Sequence, residues 1–244
     1  MAKKSFAVIG MGRFGQSVVT ELINKNADVL VIDKDPERIA KMSKIATHAV
    51  TLDTTDVNAL KEVGISSIDH VVVAIGKELQ SSILTTLILK ELGVENVTVK
   101  VQNEDHAKVV AKLGADEIIQ PEQQSGKRLA SKIIADNVLD YIDLNDSHSF
   151  IVVNATEKIA NSTIINLDVR NKFKINVVAI RREGDIIIPT AEDVISITDQ
   201  LLLIGKNTDL SKFNAYVCFK LEDDDYDDNL YDEFTNIINV SYDL

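Results

Sequence analysis

Six residues near the start of the chain, Gly10-Met11-Gly12-Arg13-Phe14-Gly15, carry the spacing G-x-G-x-x-G. Each glycine has its own task in that spacing. Gly10 permits a tight turn, Gly12 lets the backbone approach an anionic group, and Gly15 allows a helix to pack closely on a strand. The N–H groups that open the helix then face the anion. Asp33, with Lys34 beside it, follows 23 positions after Gly10 at the end of a second apolar run. An acid there accepts from ribose hydroxyls and repels a 2′-phosphate, which disfavours an NADP-type ligand. The chemistry implied is the binding of an adenine nucleotide; the competing reading is that three glycines merely pack a βα turn.

Further polar residues fall at the ends of later apolar runs. Asp53 and Thr54 follow the third, with two readings for Asp53: a second ligand contact, or the N-cap of the next helix. Ile75-Gly76 after the fourth run lets the backbone come close to a ribose or base, and Lys100 ends the fifth. Catalytic patterns are harder to find. There is no G-x-x-x-x-G-K-[ST] loop, and His48, His70, His106 and His148 form no H-E-x-x-H or Ser/His/Asp arrangement. His48 and His106 fall at element edges and read as satisfied surface histidines.

The elements that must position these residues follow from periodicity. Phe6-Ala7-Val8-Ile9, Val29-Leu30-Val31-Ile32, Ala49-Val50-Thr51-Leu52, residues 70–75, Val97-Thr98-Val99-Lys100-Val101 and Glu117-Ile118-Ile119 read as six strands, each alternating with a helical pattern. Asp35-Pro36 starts one helix. Another, 80–92, places Ile83, Leu84, Leu87 and Ile88 on one face and stops at Gly93. Near-continuous apolar strands alternating with helices predict an α/β fold with a parallel, doubly wound, Rossmann-like sheet, whose ligands bind beyond the strands' carboxyl ends. A longer helix is predicted over 126–141, then a smaller α+β module with strands at 150–153, 176–180, 185–188 and 200–205, a helix from near Asn161-Ser162 and a last short helix through 210–213. The predicted division is a nucleotide-binding domain over 1–124, a crossover helix over 125–143, a second domain over 144–220 and a tail over 221–244.

The chain has 244 residues, with 26 Lys and Arg against 38 Asp and Glu, a formal charge of −12. That balance argues against nucleic acid as a partner. Nine acidic residues and no basic one lie in 221–244, so removing them leaves −3 on residues 1–220: a nearly neutral body with an acidic extension. One cysteine, Cys218, excludes an intrachain disulfide and a Cys-rich metal site. No apolar run reaches the roughly 18–20 residues of a membrane span, and the first residues lead straight into a strand. The expectation is a cytoplasmic protein, peripheral if it serves a membrane process.

Several segments together resemble the RCK (TrkA-N plus TrkA-C) regulatory subunits of bacterial potassium uptake channels, of the KtrA type. They are Ala7-Val8-Ile9 with the glycine motif, Ala46-Thr47-His48-Ala49-Val50, Val73-Ala74-Ile75-Gly76, residues 84–92, Val99-Lys100-Val101-Gln102-Asn103, residues 114–122, and residues 137–144. The resemblance covers roughly residues 4–215. It implies a non-enzymatic gating subunit, an octameric ring built from dimers beneath a membrane potassium channel subunit, in which ATP and ADP compete for the Rossmann site. It further implies that Arg13 reaches the γ-phosphate across a dimer and that Glu122 binds a divalent cation, Ca or Mg, at the dimer interface. The second module resembles the TrkA-C domain, which in many members binds cyclic di-AMP between two protomers. Ile164, Arg170, Ile175, Asn176, Val177 and Pro189 then fall at that ligand. Lys174 stands where a glycine is usual, and Thr190-Ala191 follow Pro189, both departures from the pattern.

Two other functions compete with this reading. An NAD-dependent oxidoreductase would use the same glycine loop, with Asp33 on the adenosine ribose, but needs a substrate domain with a proton-transfer group. A nucleotide-independent scaffold would need none of the site residues.

Overall fold

The computed structural model describes residues 4–76, 78–134, 137–145 and 147–218. The acidic extension singled out above, from Leu221 onward, lies outside them. The chain divides into two units, Met1–Gln123 and Gln124–Leu244.

The first unit is a six-stranded parallel sheet: β1 (Ser5–Ile9), β2 (Asp28–Asp33), β3 (His48–Thr51), β4 (His70–Val73), β5 (Val97–Lys100) and β6 (Glu117–Ile119), in the spatial order β3-β2-β1-β4-β5-β6. The helices between them are α1 (Arg13–Asn24), α2 (Pro36–Met42), α3 (Val57–Glu62), α4 (Leu79–Glu91) and α5 (Glu104–Lys112). Register is set by pairs such as Ile9 with Ile32 and Ile9 with Val73. Because side chains alternate along a strand, the runs bury both faces. Ala7, Ile9, Val71, Val73, Val97 and Val99 join Leu89 of α4 and Val110 of α5 in one core cluster. Val8, Val29, Val31 and Val72 join Val19 of α1 and Ile39 of α2 in another.

Caps follow from local chemistry. Asp35 accepts from the Glu37 N–H and precedes Pro36 at the first helical position, as the sequence predicts. Before α3 the cap is Asp56, which accepts from the Asn58 and Ala59 N–H groups. Asp53 is therefore not that helix's N-cap.

Helix α4 turns a different face inward from the one expected. Ser82, Thr85, Thr86, Ile88 and Leu89 are buried, whereas Leu84 is 38% exposed and Ile83 and Leu87 are only half-buried. Apolar residues lie nearly all round this helix, so periodicity had no face to choose. On the buried face two threonine hydroxyls find partners, Thr85 with Thr54 at 2.7 Å and Thr86 donating to the Ser82 carbonyl at 2.8 Å, whereas the Ser82 hydroxyl is buried without one.

Helix α6 (Pro121–Ile134) is shorter than the helix predicted over 126–141, and than the crossover helix over 125–143. Residues 138–145 are instead strand β7 (Val138–Asn145), paired antiparallel with β8 (His148–Asn154). Val138, Tyr141 and Ile142 satisfy a helical stripe in isolation, but they are also β-formers, and the exposed edge of β8 supplies a ladder. The second unit completes a five-stranded antiparallel sheet with β9 (Asn176–Arg182), β10 (Asp185–Ile187) and β11 (Gln200–Lys206), ordered β10-β9-β11-β8-β7. Glu183 and Gly184, both at positive φ, make the β9–β10 turn. Short helices α7 (Ile164–Leu167) and α8 (Val169–Phe173) precede β9, and α9 (Asn207–Cys218) follows β11, longer than the segment 210–213 predicted. Phe173 and Phe213 meet edge-on at 5.4 Å, with Tyr216 at 5.1 Å from Phe173, over a core that includes Ile151, Val153, Leu201 and Leu203.

Asp199 anchors this unit's polar interior. Its fully buried carboxylate accepts from Arg182 Nε at 2.8 Å, Arg182 Nη2 at 2.7 Å and the Ser196 N–H at 2.7 Å. The Arg182 guanidinium holds its carboxyl below the usual carboxylate range. With the folded-state pKa below the unfolded value of about 3.9, this group's stabilisation is complete above that value and is lost as pH falls through the folded-state pKa. Asp199→Asn is thus expected to lower the melting temperature at neutral pH and to flatten the fall in melting temperature below about pH 4, read from melting curves across pH. Lys174 sits at φ +58°, a left-handed conformation that a glycine adopts without strain. Lys174→Gly is expected to stabilise the protein by about 0.5–1 kcal/mol, measured by denaturant unfolding.

Candidate nucleotide-binding site

The sheet order reverses direction at β1 and β4, and beyond the carboxyl ends of these strands lies a cleft of about 420 Å³. The glycine loop forms one wall. Gly10 has φ +97°, and a Cβ there would meet the Ala74 backbone at 2.9 Å, so only glycine lets β1 and β4 run out side by side. A Cβ at Gly15 would overlap the Gly10 carbonyl oxygen. Nothing lies within 4 Å of where a Gly12 Cβ would stand, so that backbone faces open space. Gly12 is also the N-cap of α1 and supplies no side-chain bond, leaving the first-turn N–H groups without a side-chain cap.

Asp33 is buried and holds this loop. Its Oδ2 accepts from the Met11 N–H at 2.5 Å, and its Oδ1 from the Asp35 N–H at 2.9 Å. Arg38 Nη1 lies 3.4 Å from Oδ2. The acid expected to meet ribose hydroxyls therefore already has a structural task, and any ribose contact adds to it. Asp53 lines the cleft with one oxygen, Oδ1, bound to the Thr55 N–H and hydroxyl. These bonds hold its carboxyl below the usual carboxylate range.

At the other end of the cleft stand Arg13, Lys100 and Glu122. Lys100 Nζ pairs with Glu122 Oε1 at 2.5 Å and lies 5.6 Å from the centre of the Phe14 ring. Lys100, and more distantly Arg13, keep the Glu122 carboxyl below the usual range. Arg13 is exposed and makes no ion pair among the described residues. Two cations beside uncapped helix N–H groups form an anion site, so the residues present fit the di- or triphosphate of an adenine nucleotide. They do not fit a metal ion within one chain. Glu122 is a single carboxylate already paired with Lys100, and no group of three or more metal-ligating side chains occurs among the described residues.

The cleft thus brings together Gly10, Gly12, Arg13, Phe14, Asp33 and Lys34 with Asp53, Thr54, Ile75, Gly76, Lys100 and Glu122. It does not include the side chain of Met11, which is buried in the core, or Gly15, which packs α1 on β1. Sequence reasoning missed Arg38, Glu78 and Ser81, which also line it. Glu78 pairs with Lys34 across the mouth and accepts from Ser81 at 3.0 Å. The signal was present in Gly76, since residues just beyond such a glycine share the strand's carboxyl edge. His106, expected at the surface, is 1% exposed. Its Nδ1 accepts from the Gln102 N–H at 3.4 Å, and burial pushes its imidazole pKa down.

In the second unit, Arg170 and Asn176 are exposed and carry no hydrogen bond or ion pair from their side chains among the described residues, and Ile164, Val177 and Pro189 are half-buried. Ile175 is different: fully buried in the core, it packs against Gly205, where a Cβ would come within 2.6 Å of its Cγ2. Its side chain is structural and cannot meet a ligand.

Residues 6–121 match the TrkA-N domain family and residues 149–217 the TrkA-C domain family. The chain is 48% identical over 216 residues to the Ktr system potassium uptake protein C of Bacillus subtilis (strain 168), covering 88% of this chain and 98% of that one. It is 44% identical over 211 residues to the Ktr system potassium uptake protein A of the same organism, covering 86% and 95%. Among solved structures the GsuK channel superposes with a TM-score of 0.67 at 15% identity, over 91% of this chain and 41% of that one, so the likeness is one of fold and spans less than half of the channel chain.

Gly10→Ala would force a side chain into the Ala74 backbone at a left-handed position. It is expected to cost about 1–3 kcal/mol in unfolding experiments and to abolish stabilisation by adenine nucleotides.

Proposed function

Because the chain belongs to the TrkA-N/TrkA-C family of Ktr potassium uptake proteins, we propose that it is a nucleotide-sensing regulatory subunit that controls a membrane potassium channel subunit. The observation that supports this most directly is the uncapped start of α1, opening into a cleft beside the unpaired Arg13 and the cation Lys100. ATP and ADP share every contact except those of the γ-phosphate. Arg13, exposed and outside any ion pair among the described residues, gains a charge-assisted contact only from the longer ligand. A protein with two arrangements of its dimer then shifts toward the one that ATP prefers, by the difference in affinity.

On this reading residues 1–124 sense the nucleotide, residues 144–220 form the second ligand domain, and copies of the chain assemble as a dimer-based octameric ring at the cytoplasmic face of the membrane. No helix among the described residues is long and apolar enough to cross a membrane. Cyclic di-AMP would meet Arg170 and Asn176, with Ile164, Val177 and Pro189 beside them. A divalent cation would need Glu122 from two copies, each released from Lys100. On this reading the role is regulatory, in keeping with the Ktr relatives.

Calorimetric titration of the full chain with ATP, ADP, NADH and cyclic di-AMP tests the reading, combined with the mass of the assembly. ATP and ADP are expected to bind, and Arg13→Ala is expected to lose about tenfold in affinity for ATP with little change for ADP. Binding and turnover of NADH alone would favour an oxidoreductase, and failure to bind any nucleotide would favour a scaffold.

A further inference from the structure

The pairing of Lys100 with Glu122 carries a consequence for the same site, and it rests on the nucleotide reading given above. Lys100 ends β5, and its side chain is only 12% exposed, enclosed beside the Phe14 ring and near Gly76. Glu122 stands in the first turn of α6 with its side chain 73% exposed. The two partners are therefore unequal. The ammonium is held by its packed stem, whereas the carboxylate is free to swing into water at little desolvation cost.

We propose that Glu122 is a built-in competitor for phosphate: its carboxylate and the terminal phosphate of a nucleotide vie for the one enclosed Lys100 ammonium, so ligands bind only as far as their charge displaces it. A carboxylate brings one negative charge and a terminal phosphate more, with three acceptor oxygens. The exchange therefore favours polyphosphates over nucleosides. It also makes Glu122 a determinant of affinity that opposes binding whenever no divalent cation is present. Arg13 stands beside the same carboxylate and is not committed to it, so it is ready for the phosphate once Glu122 leaves.

This role has the opposite sign to that of a cation ligand, which makes the two separable. In calorimetry of the full chain with EDTA, Glu122→Gln is expected to bind ATP and ADP roughly three- to tenfold more tightly than wild type, and adenosine unchanged. Glu122→Asp, one methylene shorter and unable to keep the Lys100 contact, should move the same way. In Lys100→Gln, which binds more weakly, adding Glu122→Gln should have little further effect, because the contested ammonium is gone. Equal or weaker ATP binding by Glu122→Gln in EDTA would overturn the inference while leaving the nucleotide site intact. If wild type and both Glu122 variants all failed to bind, the reading of the cleft itself would be wrong. Repeating the titration with Mg or Ca reports the cation role separately: a loss of affinity there for Glu122→Gln, set against a gain in EDTA, would show one carboxylate serving both purposes.

Discussion

One buried hydrogen bond sets the geometry on which the cleft depends. The Met11 N–H donates to the Asp33 carboxylate, tying the loop after β1 to the end of β2. With the loop fixed, Gly10 lies against Ala74 at the end of β4, Gly15 brings α1 down onto the loop, and the first turn of α1 points into the space between the strand ends. A charged acceptor out of water strengthens such a bond and makes its loss expensive. The acid that a fingerprint assigns to the ligand is thus first of all a part of the frame, and ligand recognition is layered upon it.

Around that frame the cleft's charges are arranged in pairs that bridge different strand ends. Lys34 meets Glu78 from the β2 and β4 ends, and Lys100 meets Glu122 from β5 and the start of α6. The Lys34–Glu78 pair is exposed on both sides, and a pair of that kind contributes little to folding. The effect of both pairs is on the electrostatic field: a cleft holding several cations and carboxylates in mutual contact presents less net potential to solvent than its residue list implies. Arg13 is the exception, an exposed cation that makes no ion pair among the described residues.

Much of this was legible in the sequence where local chemistry and global fold agree. The glycine spacing, Asp33 at the end of β2, the Asp35-Pro36 cap and the six apolar runs each point to one place in the fold, and the structure puts them there. What was not legible involved residues whose local pattern fits two answers. Val138 to Leu144 satisfies both a helical stripe and a strand, and only the free edge of β8 decides between them. In α4 an apolar surround hid the fact that Thr85 would turn inward to meet Thr54, a partner 31 positions away. The position of His106 at an element edge points to the surface, and the family pattern puts Ile175 at a ligand, but both are buried because burial depends on neighbours in space. Glu78 and Arg38 reach the cleft from loops and a helix turn, where no periodicity points to a destination.

The two sheets differ in the order in which their strands become available during synthesis. In the first unit the earliest strand, β1, is central, and β2, β4, β3, β5 and β6 can each add to an edge that already exists. In the second unit the last strand among the described residues, β11, sits between β8 and β9. Until residues 200–206 leave the ribosome, the β7–β8 hairpin and the β9–β10 hairpin have no strand to join them, and their inner edges stay unpaired. The amino-terminal unit can therefore mature as it emerges, while the carboxyl-terminal unit must wait for its final strand and then close in one non-local step.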